Sequence, residues 1–313
     1  MRIPSLKWMQ RPQPEGPRGY QAGVAGCARQ EQSRWHGEDR GPFPTSDASR
    51  FHLGISGYCA SAEEVGGDFC EVLQVAPRAV LLVVADAMGK GASAAGLATR
   101  LRALVRALAE CAAQPGELLA AINRLMYGAL AEQGAFITAQ LVLVDWAAGR
   151  LTVASAGHCP LLLATADGQA RAISPEGMPL GILPGQVFAE ETLPLDRLCG
   201  VLLYSDGVTE ARNGQGEFLG QAFLHHWLRQ NTARRQPAKA LAGNLISELR
   251  RFQSGAKPSD DQTFLLLTAG PADELSEAAE CLRSGPKTVR GCNREATRNG
   301  TLLNSPPPTA TAE

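Results

Sequence analysis

FITAQLVLVDWAAGRLTVASAGHCPLLLA, residues 136–164, decides the fold class. It holds three short apolar runs, Phe136–Val144, Arg150–Ala156 and Pro160–Ala164, joined at Ala148-Gly149 and Gly157-His158. A parallel connection needs about a dozen residues or more, so links this short predict antiparallel strands in a meander. Upstream, Leu97, Leu101, Leu104, Val105 and Leu108 recur at helical spacing within Ser93–Ala112. Pro115 and Gly116 break that pattern, and Leu118, Ile122, Leu125 and Met126 predict a second amphipathic helix over Glu117–Leu130. Before these helices, Val80–Ala85 (VLLVVA) is a continuous apolar run, hence a buried strand, and Phe51–Tyr58 alternates like a half-buried one. Downstream, Val201–Tyr204 is a buried strand ending at Ser205-Asp206-Gly207. Two helices at about 219–230 and 237–252 precede a last strand, Gln262–Thr268. Runs of strands separated by helix pairs predict an α+β fold with helices packed outside antiparallel sheets.

Composition sets the limits of this unit. The chain has 313 residues, 44% of them hydrophobic, with 30 basic against 31 acidic side chains. That apolar content can build a core, and a net charge of −1 supplies no general attraction to nucleic acid or anionic membrane. No stretch of about 18 uncharged apolar residues occurs, so no membrane-spanning helix is expected. The eight cysteines form no CxxC pair and several lie in apolar runs, the pattern of reduced thiols in a cytoplasmic protein. Residues 1–50 contain six Pro, six Gly and eight basic against five acidic residues, with little apolar periodicity, and read as a loosely attached extension. Residues 271–313 read as a tail, with a short amphipathic helix possible over Ala272–Arg283. The folded unit is then expected at 51–270.

Carboxylates gather at the ends of these elements. Asp68 stands in Gly66-Gly67-Asp68-Phe69 after the first strand, and Asp86 closes the VLLVVA run. Asp206 ends the VLLY strand, and Asp260-Asp261 precedes the last one. An Asp against a buried strand is costly unless paired or bound to a cation. A single such Asp is better explained as a turn or cap residue. Four of them, each with a Gly or a second Asp within three residues, favour a site for hard cations such as Mg²⁺ or Mn²⁺.

EVGGDF (64–69), VADAMGKGASAAGL (84–97), SAGHCPLLL (155–163), GMPLGIL (177–183), LLYSDGVTEARN (202–213) and SDDQTFLLL (259–267) follow one another in this order. Together they resemble the PPM (type 2C) metal-dependent protein phosphatases, in particular their bacterial SpoIIE-like or RsbU-like branch. The resemblance covers the whole expected folded unit. It implies a four-layer αββα sandwich, two antiparallel sheets flanked by helix pairs. It implies two divalent cations, Mn²⁺ or Mg²⁺, held by Asp68, Asp86, the backbone carbonyl of Ala87, Asp206 and Asp260, with Gly67 and Asp261 just outside the ligands. Water activated by both ions would attack the phosphorus of a phosphoserine or phosphothreonine in line, with no covalent phosphoenzyme. The branch implies a phosphorylated regulatory protein of the anti-anti-sigma (STAS) type as substrate, and a protein partner as the source of control.

The sequence departs from the family pattern in places. Met88 stands where eukaryotic members carry a His, and no arginine aligns with their phosphate-binding one. Cys70 and Glu71 replace the Tyr-Asp common after GGDF. Lys90 reads as a solvated residue at a helix start, and His158 as a structural residue in a turn. Two other readings compete. Gly89–Ala94 fits the G-x-G-x-x-A fingerprint of dinucleotide binding, but no further βαβ units follow and Asp86 would face the pyrophosphate. A catalytically silent phosphoprotein-binding module would have lost at least one metal aspartate, and all four are present.

Overall fold

In a computed structural model the structure describes residues 52–112, 114–232 and 236–270. The expected extension at 1–50 and the tail at 271–313, with its helix at 272–283, lie outside the described residues. Among the described residues, ten strands and five helices follow one another. They are β1 (His52–Ala60), β2 (Asp68–Ala76), β3 (Ala79–Ala87), α1 (Gly91–Leu108), α2 (Pro115–Gln133), β4 (Ile137–Asp145), β5 (Arg150–Ala156) and β6 (Leu161–Thr165). The remainder are β7 (Ala170–Ile173), β8 (Glu190–Pro194), β9 (Leu198–Tyr204), α3 (Asp206–Thr209), α4 (Gln221–Thr232), α5 (Ala238–Gln253) and β10 (Gln262–Gly270).

Two five-stranded sheets form, in the orders β1-β10-β9-β6-β7 and β2-β3-β4-β5-β8, and every neighbouring pair is antiparallel. Three apolar layers hold them. Leu81, Val83 and Ala85 of β3 pack under α1 and α2, whereas Val80, Leu82 and Val84 face the other sheet. On β10, Leu265 and Leu267 enter the inter-sheet layer and Phe264 and Leu266 pack under α4 and α5. Both faces of these central strands are buried, which is why their sequences are unbroken apolar runs and not alternating ones. The result is the α+β sandwich of sheets between helix pairs.

The link at Gly157-His158 departs from the expected meander. β4 and β5 do pair as a hairpin, but β6 leaves β5 for the other sheet, where it joins β7 and β9. A short link fits a sheet change as well as a hairpin, and only the partner strands distinguish the two. Asp68 also differs: it is the first residue of β2, a strand whose mixed sequence DFCEVLQVA hides its pairing with β3.

Candidate functional site

Each carboxylate is placed by the end of a strand. In the β2–β3 register Asp68 lies opposite Asp86, and both side chains point between the sheets, as Cys70 and Val84 do two residues away. Asp206 opens α3 immediately after β9, and Asp260 and Asp261 lie just before β10, the neighbour of β9. Antiparallel pairing thus brings residues far apart in sequence to one end of the sandwich.

Their electrostatics confirm the proximity. Burial, then Asp86, holds the Asp68 carboxyl well above the usual carboxylate range, although Ser205 and Thr263 hydrogen-bond to it. Asp68 Oδ2 is buried without a hydrogen-bond partner. Asp86 is pushed up to about 7 by burial, then by Asp206 and Asp260, and the hydrogen bond with Asp68 offsets part of this. Asp206 is raised by burial, then by Glu210 and Asp260, with the Gly207 N–H and Lys90 acting the other way. Carboxylates that raise one another's affinity for protons form a site short of positive charge.

Asp261 does something different from its neighbour. Its Oδ1 accepts the Ala62 N–H at 2.8 Å, and its Oδ2 accepts those of Gly67 at 2.8 Å and Asp68 at 3.3 Å. One side chain next to β10 therefore brackets the whole β1–β2 loop and fixes where Asp68 enters. The Gly67 carbonyl in turn accepts the Ala87 N–H at 3.2 Å, and a Cβ on Gly67 would meet the Ala87 carbonyl oxygen at 2.6 Å. The missing side chain leaves that carbonyl open to the site.

Lys90 is more engaged than its sequence position suggests. Gly89 (φ 98°) and Gly91 (φ 70°) on either side adopt left-handed backbone, which turns the chain sharply from β3 into α1. The Lys90 ammonium, half-exposed, donates to the Ser259 carbonyl at 2.6 Å and lies 3.4 Å from Asp260 Oδ2. Glu71 is buried and takes Arg102 at 2.5 Å and Arg106 at 2.9 Å, both from α1. The spacing of two arginines one helical turn apart on α1 was the only sequence signal for this tie. His158 is buried, with Nδ1 2.8 Å from the Thr138 hydroxyl, which also stands 3.5 Å from the Asp86 carbonyl oxygen. Burial pushes its imidazole down to about 4, so it is neutral at pH 7. The thiols nearby are inert for the same reason: burial raises Cys59 to about 11 and Cys159 to about 12.

Among the described residues no three His, Cys, Asp or Glu side chains close on one another as a ready-made cage. The donor set nevertheless fits hard divalent ions. It consists of carboxylates on short side chains, one of them with an unpartnered buried oxygen, beside an open backbone carbonyl.

The architecture is that of the PP2C-type phosphatase domains. The SiaA-PP2C domain of Pseudomonas aeruginosa superimposes with a TM-score of 0.60 at 22% identity, over 68% of this chain and 85% of that one. Residues 76–270 match the family model described as Stage II sporulation protein E (SpoIIE), and the chain belongs to that family. Two curated relatives are the phosphoserine phosphatase RsbU of Bacillus subtilis and protein IcfG of Synechocystis sp. RsbU is 25% identical over 69% of this chain and 63% of its own length; IcfG is 25% identical over 65% of this chain and 36% of its own. The chain therefore spans between about one third and two thirds of the relatives it matches. The family is metal-dependent in general. No helix of the described residues is long and apolar enough to cross a membrane.

Proposed function

We propose that residues 51–270 form a metal-dependent phosphatase unit that hydrolyses phosphoserine or phosphothreonine on a regulatory protein of the STAS type. The observation that carries this reading is the gathering of four aspartates at one end of the sandwich, where Asp68 and Asp86 face each other across β2 and β3, and where burial and neighbouring carboxylates, Asp260 among them, raise the carboxyls of Asp68, Asp86 and Asp206. Asp68, Asp86, Asp206, Asp260 and the Ala87 carbonyl would hold two divalent cations, Mn²⁺ or Mg²⁺. When bound, such ions ionise water at neutral pH and neutralise charge on phosphoryl oxygens.

The protein's own residues prepare this site. Asp261 holds the β1–β2 loop so that Asp68 faces Asp86. Lys90 places a positive charge at the rim, beside Asp260, where a phosphoryl dianion would approach. Neutral His158 supports strand β4 through Thr138 and carries no proton to donate as imidazolium at pH 7. The phosphoserine phosphatase named among the relatives supports the substrate class.

The test is hydrolysis of p-nitrophenyl phosphate with Mn²⁺. Turnover abolished by chelator and by Asp86→Asn supports the assignment. Turnover indifferent to both would sink it, and a protein that binds a phosphorylated STAS domain without hydrolysing anything would establish the silent-module reading instead.

A further inference from the structure

Among the described residues, seven large apolar side chains are exposed, and four of them, Met178, Ile182, Leu183 and Val187, fall within ten residues of one connection between β7 and β8. Leu183 is 49% exposed, Met178 48% and Val187 85%, values that ordinary packing would not leave on one short segment. A fifth, Met88, follows Asp86 by two residues and is 47% exposed.

The connection is not loose. Leu180 is fully buried and exchanges two backbone hydrogen bonds with Ile137 at the start of β4, at 3.1 and 2.9 Å. Asn123 of α2, also fully buried, donates to the Leu183 carbonyl at 2.8 Å and accepts the Gly181 N–H at 2.9 Å. Gly181, at φ 94°, passes so close to α2 that a Cβ would strike Leu130 at 2.7 Å, and Pro179 would meet one on Gly157 at the same distance. The backbone is thus clamped to α2, to β4 and to the turn after β5, while its large side chains are held in water. Chain entropy does not explain this, because the segment is already ordered.

Its position relates it to the carboxylates. The Met88 N–H bonds the Phe136 carbonyl at 3.0 Å, and Phe136 is the neighbour of Ile137, the residue that pairs with Leu180. One backbone path therefore leads from Asp86 through Met88 and Phe136 to the exposed connection. Between Gly177 and Val187 there is no charged residue, so the surface suits an apolar face and not a polyanion.

We propose that Met88, Met178, Ile182 and Leu183 form a preorganised docking ridge for the folded phosphoprotein substrate, engaging apolar side chains that flank its phosphoserine. This rests on the phosphatase reading above. A phosphoserine side chain is short, so the protein that carries it must lie against the rim when the phosphoryl group reaches the aspartates, and the ridge is the apolar part of that rim. Preformed exposure of these groups removes an ordering cost from binding.

The experiment uses the full chain with Mn²⁺, comparing wild type with Ile182→Glu, Leu183→Glu and the double variant. Two substrates are used, p-nitrophenyl phosphate and a phosphorylated STAS-domain protein, and sedimentation velocity is run in parallel. The expected result is a tenfold or greater loss of kcat/KM on the phosphoprotein, expressed in KM, with p-nitrophenyl phosphate turnover within twofold of wild type. Unchanged phosphoprotein kinetics overturns the proposal, and if they coincide with loss of a dimer the ridge is a self-association face. Hydrolysis of p-nitrophenyl phosphate with no turnover of the phosphoprotein also overturns the ridge and leaves the phosphatase standing. No hydrolysis of either substrate by wild type overturns the phosphatase reading itself.

Discussion

Replacing Asp261 with Ala removes the acceptor of three backbone N–H groups while leaving the four proposed ligands intact. Two of the bonds lost are short, to Ala62 and Gly67 at 2.8 Å, and the third, to Asp68, is long at 3.3 Å. Hydrogen bonds to a charged acceptor contribute about 1.5–3 kcal/mol each. The two good ones alone would give roughly 3–6 kcal/mol in a dry site. Two effects reduce this. The loop is only partly buried, so water replaces some of the lost acceptor, and Asp261 is a like charge that raises Asp68 and Asp86. A net loss of about 2–3 kcal/mol remains. For a domain of this size that corresponds to a fall in Tm of about 4–12 °C. Asp261→Asn is the informative partner: with its carbonyl turned to Gly67 and Asp68 it retains two acceptances and loses the one from Ala62, so it should cost about 1 kcal/mol. Urea unfolding monitored by circular dichroism reads both variants. The reasoning fails if Asp261→Ala unfolds within about 0.5 kcal/mol of wild type, or if Asn is as damaging as Ala.

Three further outcomes follow from the same geometry. Asp86, ordinarily near 3.8 and here about 7, binds its proton more tightly in the folded state, so the metal-free protein loses stability as pH rises from about 4 to about 7. Asp86→Asn should therefore stabilise the metal-free protein at pH 8 by about 1–2 kcal/mol after screening is allowed for, and should abolish the rise in Tm on adding Mn²⁺. A lower Tm in the variant at pH 8 would contradict this. His158 has the opposite sign: its imidazole is depressed from 6.5 to about 4, the unfolded chain takes the proton first, and stability is lost as pH falls between those values. Subtracting the stability profile of His158→Gln from that of wild type should isolate a slope confined to that window, amounting to about 3 kcal/mol at its foot; a flat difference would refute it. Glu71→Ala strands Arg102 and Arg106 on α1, and because both are half-exposed the cost should be about 1–2 kcal/mol by chemical denaturation, with Glu71→Gln recovering part of it.

Several features were legible in the chain itself. VLLVVA and QTFLLL are unbroken apolar runs, and the structure shows why: Val80, Leu82 and Val84 meet the opposite sheet while Leu81, Val83 and Ala85 meet α1 and α2. The helix pair at 91–133 was visible because its buried residues recur at helical spacing and Pro115 restarts the chain at the first turn of α2. Other elements left little trace. β7 and β8 are four and five residues long, half-exposed at sheet edges, and carry no strong period. β2 buries only its first half, because the β1–β2 loop and the site lie at one end of it.

The site divides in the same way. The order of the motifs and the placement of Asp68, Asp86, Asp206 and Asp260 at element ends are properties of sequence, since an aspartate beside an apolar run already declares an unusual environment. Sequence could not say that Asp261 turns away from Asp260 to bracket residues 62–68, that Lys90 reaches Ser259 and Asp260, or that two arginines of α1 converge on Glu71. Each of those contacts joins residues dozens to about two hundred positions apart. The connection from Met178 to Val187 is the clearest case, because Leu180, buried, and Leu183, half-exposed, are the same residue type three positions apart. Local pattern chose the elements and their polar ends. Which side chains meet, and which are left facing water, was decided only when antiparallel pairing set the registers and brought α2 against the β7–β8 connection.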